Sequence, residues 1–416
     1  MVDAVIVSAA RTPIGTARRG SLIGFSAFDL GRLAVEEAFK RSGVPVGDVD
    51  DLILGEVLQG GGDIARYVAI ELGMIDVPGL AHNRHCATGM AAVQTAAANI
   101  RAGMDQVVIA GGTESITQAP SVFKKLPGQY SGVQPWLSPS HPETPDAPTM
   151  DMSLTVGWNT AQKCNVTREE QDHWAYHSHQ RAIAATDDGR LKEEIFSLEV
   201  PVGKGAAGRP GRPKAPEASH ATPTNGDGET RIFDTDEHPR RDTTMERLAA
   251  LPPLHPEIPG FSITAGNSSG LNDGSCAMVV TSSDYAADHD LEPMAIVRSW
   301  ASSGLPPADT GLGPTFAIPK ALSRAGLSVD DVDLVEINEA FASMAVASSR
   351  ILGFPHEIVN VNGSGCSLGH PVACTGARMI TTLMYELRRR GGGIGVASMC
   401  AGGGMGSATV IEVNSP

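Results

Sequence analysis

The chain contains 416 residues, 47 of them glycine, and its 32 basic and 47 acidic side chains give a formal net charge of −15. That length and a hydrophobic share of 41% are typical of roughly two or three domains with apolar cores, and they exclude a small disulfide scaffold, a fibrous repeat and a generally disordered chain. The acidic balance argues against broad nucleic-acid binding, because phosphate recognition needs a concentrated basic face.

Strand-like and helix-like segments alternate over the first part of the chain. Residues 2–7 form a short apolar run, and Ser26 with Asp29 is typical of a capping box that begins a helix, which we expect to end before Gly43. The same pattern predicts a strand over 51–57, helices near 64–72 and 90–101, and a strand from 106 that ends at the glycine pair 111–112. Strands that alternate with helices predict a mostly parallel sheet covered on both faces.

The composition changes between residues 119 and 247. Residues 127–148 are rich in Pro and Ser, a polar helix capped by Thr167 is predicted over 167–188, and residues 201–228 are rich in Gly, Pro and Ala. The last stretch is typical of a solvated surface loop, although its basic side chains could attract an anionic ligand (Lys204, Arg209, Arg212 and Lys214). We expect this long excursion to cover a functional site.

The end of the chain repeats the pattern of its beginning. Residues 43–52 align with 326–335 and share Gly43/Gly326 and Asp48/Asp331 among other identities, and the helix and strand over 90–112 align with 373–399. Helix-turn-strand units look alike in many α/β proteins, so coincidence is the alternative. We favour two duplicated α/β halves.

Six cysteines are scattered along the chain, and its first seven residues lack the basic region and long apolar core of a signal peptide. No run approaches the roughly 18 apolar residues of a membrane span. These features predict a soluble, cytoplasmic protein with reduced thiols and no membrane span.

Cys86 lies in the segment 83–90, immediately before a predicted helix. A thiol at a helix N-terminus meets the positive end of the helix dipole and free N–H groups, which lower its pKa and can hold an oxyanion. Cys86 is therefore a candidate nucleophile, with a buried small apolar side chain as the alternative.

His370 ends the glycine-rich segment 362–370, and Pro371 suits the first position of the apolar helix that follows. A histidine at this place can deprotonate a thiol or donate to an oxyanion, and the alternative is a capping or packing role. The glycines allow a ligand to approach the backbone closely.

Cys400 and Asn338 each follow or end an apolar strand, where ligand sites of α/β sheets collect. The glycines after Cys400 are a weak signal for a phosphate loop, because no Lys-Ser/Thr pair follows them. Asn338 could cap a helix or position a water molecule.

Together these four segments resemble the catalytic loops of the thiolases, the acyl-CoA C-acyltransferases. Further motifs in the family's order extend the resemblance over nearly the whole chain: ARTPIG at 10–15, GGTES at 111–115, DTDEHPR at 234–240 and TAGNSSGLNDG at 264–274. The resemblance implies the α/β thiolase fold, in which two duplicated βαβαβαββ halves form a layered α-β-α-β-α core. It also implies an N-terminal half over 1–118 that is completed by 248–274, a loop domain over 119–247 that covers the CoA site, and a C-terminal half over 275–416.

The resemblance assigns roles to matching residues. Cys86 matches the acyl-accepting nucleophile, His370 the histidine that activates it and helps hold the thioester oxygen, and Cys400 the acid/base for the α-proton of acetyl-CoA. Asn338 matches the residue that fixes a water molecule in the first oxyanion hole. The backbone N–H groups of Gly402 and Cys86 match the second oxyanion hole.

Two further positions match contacts to CoA: Ser269 to the pantetheine arm and Arg240 near the nucleotide end. The implied reaction is cleavage of 3-oxoacyl-CoA by CoA to acetyl-CoA and a shortened acyl-CoA, as in fatty-acid β-oxidation, or the reverse condensation. It needs an acyl acceptor, a base for the α-carbon and oxyanion donors, and two thiols can divide the first two tasks if a histidine keeps the nucleophile ionised. The resemblance also implies no permanently bound cofactor, CoA thioesters as ligands, and a homodimer or homotetramer.

The chain departs from the family near the expected acyl pocket. Thr88 stands where Ser is usual, the segment SGCS at 364–367, which contains Cys366, replaces the usual GAIA, and Cys374 occupies a normally small position. Residues 152–159 differ from the usual sequence, and Asp151 stands where the biosynthetic acetoacetyl-CoA enzymes often have His. These departures favour longer or unusual 3-oxoacyl chains, with acetoacetyl-CoA as the alternative.

Two other functions and a metal site are the alternatives to a thiolase. A ketoacyl-synthase-like enzyme would need a second histidine where the chain has Asn338 and has no use for Cys400, and a thiolase-like acyl-CoA-binding protein without turnover would not need its catalytic residues. Cys366, His370 and Cys374 are spaced by four, but Gly369 and Pro371 interrupt a helix there, and the group His82, His85 and Cys86 lacks paired ligands elsewhere. We therefore expect no metal.

Overall fold

One large mixed β-sheet, built from two related parts, organises the fold. The computed structural model describes residues 2–202 and 229–414. Its strands are β1 (Ala4–Arg11), β2 (Gly15–Thr16), β3 (Asp51–Gly55), β4 (Gly79–His82), β5 (Val107–Ser115), β6 (Phe123–Lys125), β7 (Val133–Pro135), β8 (Leu198–Pro201), β9 (Thr230–Phe233), β10 (Asn272–Ser282), β11 (Ala295–Gly304), β12 (Leu334–Ile337), β13 (Gly393–Ala401) and β14 (Met405–Val413). Its helices are α1 (Ala27–Ser42), α2 (Ile64–Glu71), α3 (Thr88–Arg101), α4 (Asn159–Lys163), α5 (Arg168–Asp187), α6 (Met245–Ala249), α7 (Ser283–Asp288), α8 (Gly313–Ala325), α9 (Ala342–Leu352), α10 (Gly365–Leu368) and α11 (Val372–Arg390).

The two parts of the sheet have equivalent strand orders. The N-terminal part runs β4-β3-β5-β10-β1, and the C-terminal part runs β12-β13-β14-β11. Strands β1 and β11 pair at Val5 with Ile296 and at Ile6 with Ala295, which joins the two parts along one edge. The mixed α/β fold with two related halves is confirmed.

The expectation of a mostly parallel sheet is wrong. Among the described strands of this sheet, parallel pairing is confined to β3 with β4, β3 with β5, and β12 with β13. Strand β14 returns from β13 through a short turn, and β10 enters between β5 and β1 after the long excursion. A helical crossover produces parallel strands only for the pair that it connects, whereas a short turn produces an antiparallel pair.

Helices α3 and α11 form the layer between the two halves. Helix α3 packs on β3 and β5, α11 packs on β13 and β5, and α1 and α8 cover the outer faces. A Cβ at Gly89 would overlap the carbonyl oxygen of Ala373, so the first turns of α3 and α11 meet backbone to backbone. Apolar side chains of both helices fill the core between them (Met90, Val93, Ala97, Met379, Ile380 and Leu383).

Several helix ends follow the predicted signals. Ser26 and Asp29 form a capping box before α1, which ends at Gly43 with φ of 70°. Thr167 and Glu170 form the predicted capping box before α5. Pro371 is the N-cap of α11 rather than its first helical residue, because its ψ of 106° is extended.

A buried arginine anchors the excursion to the sheet. Arg11 at the end of β1 is fully buried, its Nε donates to Glu194, and its two terminal nitrogens donate to both carboxylate oxygens of Asp236 at 2.8 Å. This pairing fixes residues on both sides of segment 203–228. That segment, with the four basic side chains that could attract an anionic ligand, lies outside the described residues.

The boundary predicted between residues 274 and 275 falls inside β10, which pairs with β5 and β1 up to Ser282. By strand pairing, the N-terminal half therefore continues to the end of β10. The remaining domain bounds, 1–118 for the N-terminal half and 119–247 for the segment that covers the site, stay predictions. Within residues 2–202 and 229–414, no helix is both long and apolar enough to cross a membrane.

Candidate active site

Cys86 lies in a tight turn immediately before α3. The Thr88 hydroxyl donates to the carbonyl oxygen of His85 at 2.5 Å and accepts from the N–H of Arg84 at 2.7 Å. His85 has a φ of 47°, a left-handed conformation that costs energy for a side chain of this size. Thr88, a departure from the family pattern, therefore holds the turn that presents the thiol.

The Cys86 thiol faces two backbone N–H groups. The backbone N–H groups of Gly402 and of Cys86 itself lie close enough to the sulfur to favour its thiolate form. Burial nevertheless raises the pKa of Cys86 to about 11, since removal of the thiolate from water outweighs both donors, and nearby Glu114 adds to the effect. The expectation that the helix N-terminus lowers this pKa is wrong for the resting site.

Cys400 lies beside Cys86, near the end of β13. It is 2% exposed, and its thiol donates to the Met344 sulfur at 3.5 Å. Burial raises the pKa of the Cys400 thiol, and the neighbouring Cys86 raises it further. Both thiols are therefore protonated at neutral pH, so a base must remove a proton before either reacts.

His370 lies just before α11, as Cys86 lies just before α3. Its backbone N–H donates to Asn272 Oδ1 at 3.1 Å, and its Nδ1 and Nε2 lie 2.6 Å from Thr375 Oγ1 and 3.4 Å from Asn338 Nδ2, respectively. Gly369, with φ of 99°, is packed so closely on the Asn272 side chain that a Cβ would overlap it. This glycine thus serves internal packing rather than the predicted approach of a ligand.

Burial lowers the pKa of His370 to about 3, and the Arg378 guanidinium adds to this shift. The imidazole is therefore neutral over the physiological range and has a lone pair available for a proton. The expectation that His370 keeps the nucleophile ionised is wrong for the resting site, where both groups are neutral.

Asn338 follows β12, and its side chain contributes an unused acceptor. Its Oδ1 is buried without a hydrogen-bond partner, while its Nδ2 faces His370. A buried acceptor without a partner is unusual and is expected where a water molecule or a ligand supplies the donor.

Glu339 fixes the loop that carries Asn338. One carboxylate oxygen accepts from Trp174 Nε1 and Asn360 Nδ2, and the other accepts from the Ser178 hydroxyl and the Cys366 N–H. These four donors come from three separate segments of the chain. The loop is therefore held rigidly beside His370.

Glu114 connects the two halves near the thiols. Its carboxylate accepts from Gln59 Nε2 at 2.5 Å, from the Leu58 N–H and from the Ala373 N–H at the start of α11. Burial raises the pKa of Glu114 to about 7.

Ser269 and Arg240 lie in neighbouring loops. The Ser269 N–H donates to the carbonyl oxygen of Ala340, which places Ser269 against the Asn338 loop. Arg240 is exposed and lines a cavity of about 350 Å³ whose wall includes His179, His238, Arg247, Gly266 and Cys366. The wall also carries Asp242, which pairs with Arg247, and the apolar side chains of Leu248 and Leu251, so Arg240 beside them suits the cavity to an anionic, partly apolar ligand.

The departures at the two cysteines lie in different environments. Cys366 lines this cavity, and its thiol points to the carbonyl oxygen of Glu339 at 3.6 Å. Cys374 instead packs in the core between the halves, near Cys276. Of the two, only Cys366 reaches the cavity.

Residues 152–159 adopt an unusual conformation. Ser153–Trp158 forms a π-helix, and its Gly157 packs on the Phe341 ring and accepts at its carbonyl from the Ser343 hydroxyl. Asp151 Oδ2 lies 2.7 Å from His255 Nε2. Within the described residues, no group of three or more His, Cys, Asp or Glu side chains is arranged to hold a metal ion.

The structure thus brings Cys86, Cys400 and Gly402 into one cluster and His370 with Asn338 into another, joined through Glu114 and the contact of α3 with α11. Sequence reasoning did not assign a role to Thr375, Met344 or Glu114. Thr375 lies five residues after His370, one turn into a helix that begins at the site, and that spacing is a signal that could have identified it.

Comparisons with known proteins agree with this architecture. The thiolase N-terminal domain matches residues 4–284, and the thiolase C-terminal domain matches residues 291–413. Acetyl-CoA acetyltransferase of Pseudomonas aeruginosa is 38% identical over 99% of both chains, and 3-ketoacyl-CoA thiolase of Bacillus subtilis is 39% identical over 99% of this chain and 100% of its own.

Solved structures give the same result. The crystal structure of human mitochondrial 3-ketoacyl-CoA thiolase has a TM-score of 0.85 at 34% identity, covering 100% of this chain and 99% of its own. A structure of the same human enzyme in complex with CoA has a TM-score of 0.84 at 34% identity, covering 99% and 98%. The chain belongs to the thiolase family and is an acyltransferase.

Proposed function

We propose that the protein cleaves 3-oxoacyl-CoA with CoA, or runs the reverse condensation, through an acyl group carried on Cys86. The observation that carries this proposal is the position of the Cys86 thiol, which lies close to the backbone N–H groups of Gly402 and Cys86 and beside the second thiol of Cys400. A pair of thiols in a preformed cradle of N–H donors suits a reaction with two covalent stages.

In the first stage, Cys86 attacks the C3 carbonyl of 3-oxoacyl-CoA while His370 takes the thiol proton. The C2–C3 bond then breaks, the chain remains as a thioester on Cys86, and the released enolate of acetyl-CoA takes a proton from Cys400. In the second stage, the CoA thiol gives its proton to the thiolate of Cys400 and attacks the thioester. Transfer of the remaining proton from His370 to Cys86 restores the starting site.

The charges of the resting site support this assignment of roles. Because Cys86 and Cys400 are both protonated and His370 is neutral, His370 is the one of these three groups with a lone pair ready to accept a proton. In this proposal the backbone N–H of Gly402 and a water molecule fixed by Asn338 donate to the thioester oxygens as charge develops on them, which lowers the barrier.

The cavity beside Arg240 fits the CoA end of the substrate. Arg240 supplies positive charge for phosphates, Arg247 on the same wall pairs with Asp242, and Ser269, held against the Asn338 loop, is the contact for the pantetheine arm. CoA and its thioesters are thus substrates, and none of the steps above requires a resident cofactor.

The acyl chain is the open part of the proposal. The relative named acetyl-CoA acetyltransferase and the relative named 3-ketoacyl-CoA thiolase have almost the same sequence identity to this chain, 38% and 39%. Asp151, which His255 holds, stands where the biosynthetic acetoacetyl-CoA enzymes often have His, and this difference favours longer 3-oxoacyl chains and a role in fatty-acid β-oxidation.

We further propose a homodimer or homotetramer in the cytoplasm. Exposed apolar side chains on the segment that contains β6 and β7 support assembly, since Phe123 is 56% exposed and Tyr130 fully exposed. Light scattering after size-exclusion chromatography measures the assembly, and a monomer at micromolar concentration contradicts it.

The test is the loss of 3-oxoacyl-CoA enolate absorbance on addition of CoA, across a series of chain lengths. We expect turnover by the wild type. The rates of Cys86→Ala and Cys400→Ala should be lower by a factor of about 10⁴ or more. Cys164→Ala removes a thiol at the end of α4 and is the matched control, with the wild-type rate expected. Wild-type rates equal to those of Cys86→Ala at every chain length would contradict the proposal.

A further inference from the structure

Thr375 contacts the Nδ1 ring nitrogen of His370. Its hydroxyl oxygen lies 2.6 Å from His370 Nδ1 and 2.8 Å from the carbonyl oxygen of Pro371. Thr375 is fully buried, so water does not compete for these contacts.

A hydroxyl group has one hydrogen, so it can donate to only one of these two neighbours. The carbonyl oxygen of Pro371 can only accept, and it is the usual acceptor of a threonine hydroxyl four residues later in a helix. When the hydroxyl of Thr375 donates to Pro371, its oxygen has lone pairs left to accept from His370 Nδ1–H.

The other ring nitrogen agrees with this direction. His370 Nε2 lies 3.4 Å from Asn338 Nδ2, and an amide nitrogen can only donate. Nε2 therefore has its lone pair towards Asn338. The opposite arrangement needs the Thr375 hydroxyl turned away from Pro371 and the Asn338 amide rotated, so two favourable contacts would change together.

We propose that Thr375 is a positioning residue that fixes His370 in the tautomer with its proton on Nδ1 and its lone pair on Nε2. This inference rests on the proposed function for its chemical consequence. The Cys86 proton moves to the lone pair of Nε2, and the imidazolium that forms keeps its Nδ1–H bond to Thr375. Without the hydroxyl, the neutral ring divides between two tautomers, and the one with a proton on Nε2 cannot accept the thiol proton.

The variants that test this inference differ by one functional group. Thr375→Val keeps the shape and removes the hydroxyl, and Thr375→Ser keeps the hydroxyl and removes the methyl group. Thr381→Val is the matched control, because Thr381 is also fully buried on α11 but contacts the Cys276 sulfur instead of His370.

We expect Thr375→Val to lower the rate of Cys86 acylation by about 10- to 100-fold, as substitutions behind a reacting histidine commonly do. Alkylation of Cys86 by iodoacetamide at pH 7 should fall in parallel, while Thr375→Ser and Thr381→Val keep wild-type rates. Thermal unfolding reports the structural cost, which should be similar for Thr375→Val and Thr381→Val. A Thr375→Val enzyme as fast as Thr381→Val, or a Thr375→Ser enzyme as slow as Thr375→Val, would overturn the proposal.

Nitrogen-15 NMR of histidine-labelled protein reads the tautomer directly. The His370 signals are assigned by their loss in His370→Asn, and we expect a protonated Nδ1 in the wild type and a mixture in Thr375→Val. A wild-type proton on Nε2 would overturn the proposal. The NMR and alkylation measurements need no thiolysis, so absence of turnover in the wild type would contradict the proposed function alone.

Discussion

In the N-terminal half, β3 ends at Gly55 and is followed by Glu56; in the C-terminal half, β12 is followed by Asn338 and Glu339 at the aligned positions. A Cβ at Gly55 would overlap the methyl group of Thr88, so this position holds no side chain beside the nucleophile. At the aligned position, Asn338 carries an amide with a free buried oxygen.

The two glutamates differ in the same way. Glu339 accepts four hydrogen bonds, whereas Glu56 has one buried oxygen without a partner. Burial also raises the pKa of Glu56. The duplicated backbone thus provides equivalent positions around one site, but the C-terminal half supplies most polar groups and the N-terminal half supplies the nucleophile.

The strongest test of this division is His370→Gln. Glutamine keeps a polar side chain but cannot accept the thiol proton, so we expect acylation of Cys86 to slow by about 10²- to 10⁴-fold. Stopped-flow measurement of acyl-enzyme formation gives the rate. His289→Gln, at the end of α7, is the matched control, and equal rates for the two variants would show that His370 is not the base.

The two glutamates give the next test. Glu339→Gln turns an amide NH₂ towards backbone and side-chain donors, so we expect the free energy of unfolding to fall by about 1.5–3 kcal/mol. Glu56→Gln removes a poorly solvated carboxylate with fewer partners and should change stability by less than about 0.5 kcal/mol. Urea unfolding at pH 7.5 measures both, and equal losses would contradict the contrast between the halves.

A third test concerns the environment of Cys86. With a pKa of about 11 the group is a thiol at neutral pH, and its thiolate fraction grows about tenfold for each pH unit up to that pKa. In His370→Gln, which lacks the base, the alkylation rate of Cys86 should therefore rise about tenfold for each pH unit between pH 7 and 10.

Peptide mapping of the alkylated protein shows which thiol reacts. Cys86 should be the most reactive and should be protected by acyl-CoA. A rate that is flat above pH 8 would indicate a pKa lowered by the helix N-terminus, and preferred labelling of Cys164 or Cys276 would contradict the choice of nucleophile.

Local signals in the sequence predicted much of the fold. The capping residues Ser26, Thr167 and Gly43 mark real helix ends, because caps depend on contacts within a few residues. Strand direction was not predictable in this way. It depends on where β10 enters the sheet after the excursion, and no nearby residue records that choice.

The catalytic candidates followed from motifs, but their charge states did not. Position before a helix predicted an ionised Cys86, while burial by distant segments dominates its pKa in the structure. Glu114 becomes visible as a partner only when α11 is packed on β5, whereas the spacing of Thr375 from His370 is a signal within the sequence.

The close approach of α3 and α11 at Gly89 has a consequence for recombination between relatives. Because the backbone of one half touches the carbonyl oxygen of Ala373 in the other, the separation of Cys86 from His370 is set by a contact without adjustable side chains. A chimera that joins this N-terminal half to the C-terminal half of another family member would keep that separation only if the first turns of both helices keep the same positions relative to this contact. Transferable halves are thus defined by the first turns of two helices, more than by the substrate that each parent uses.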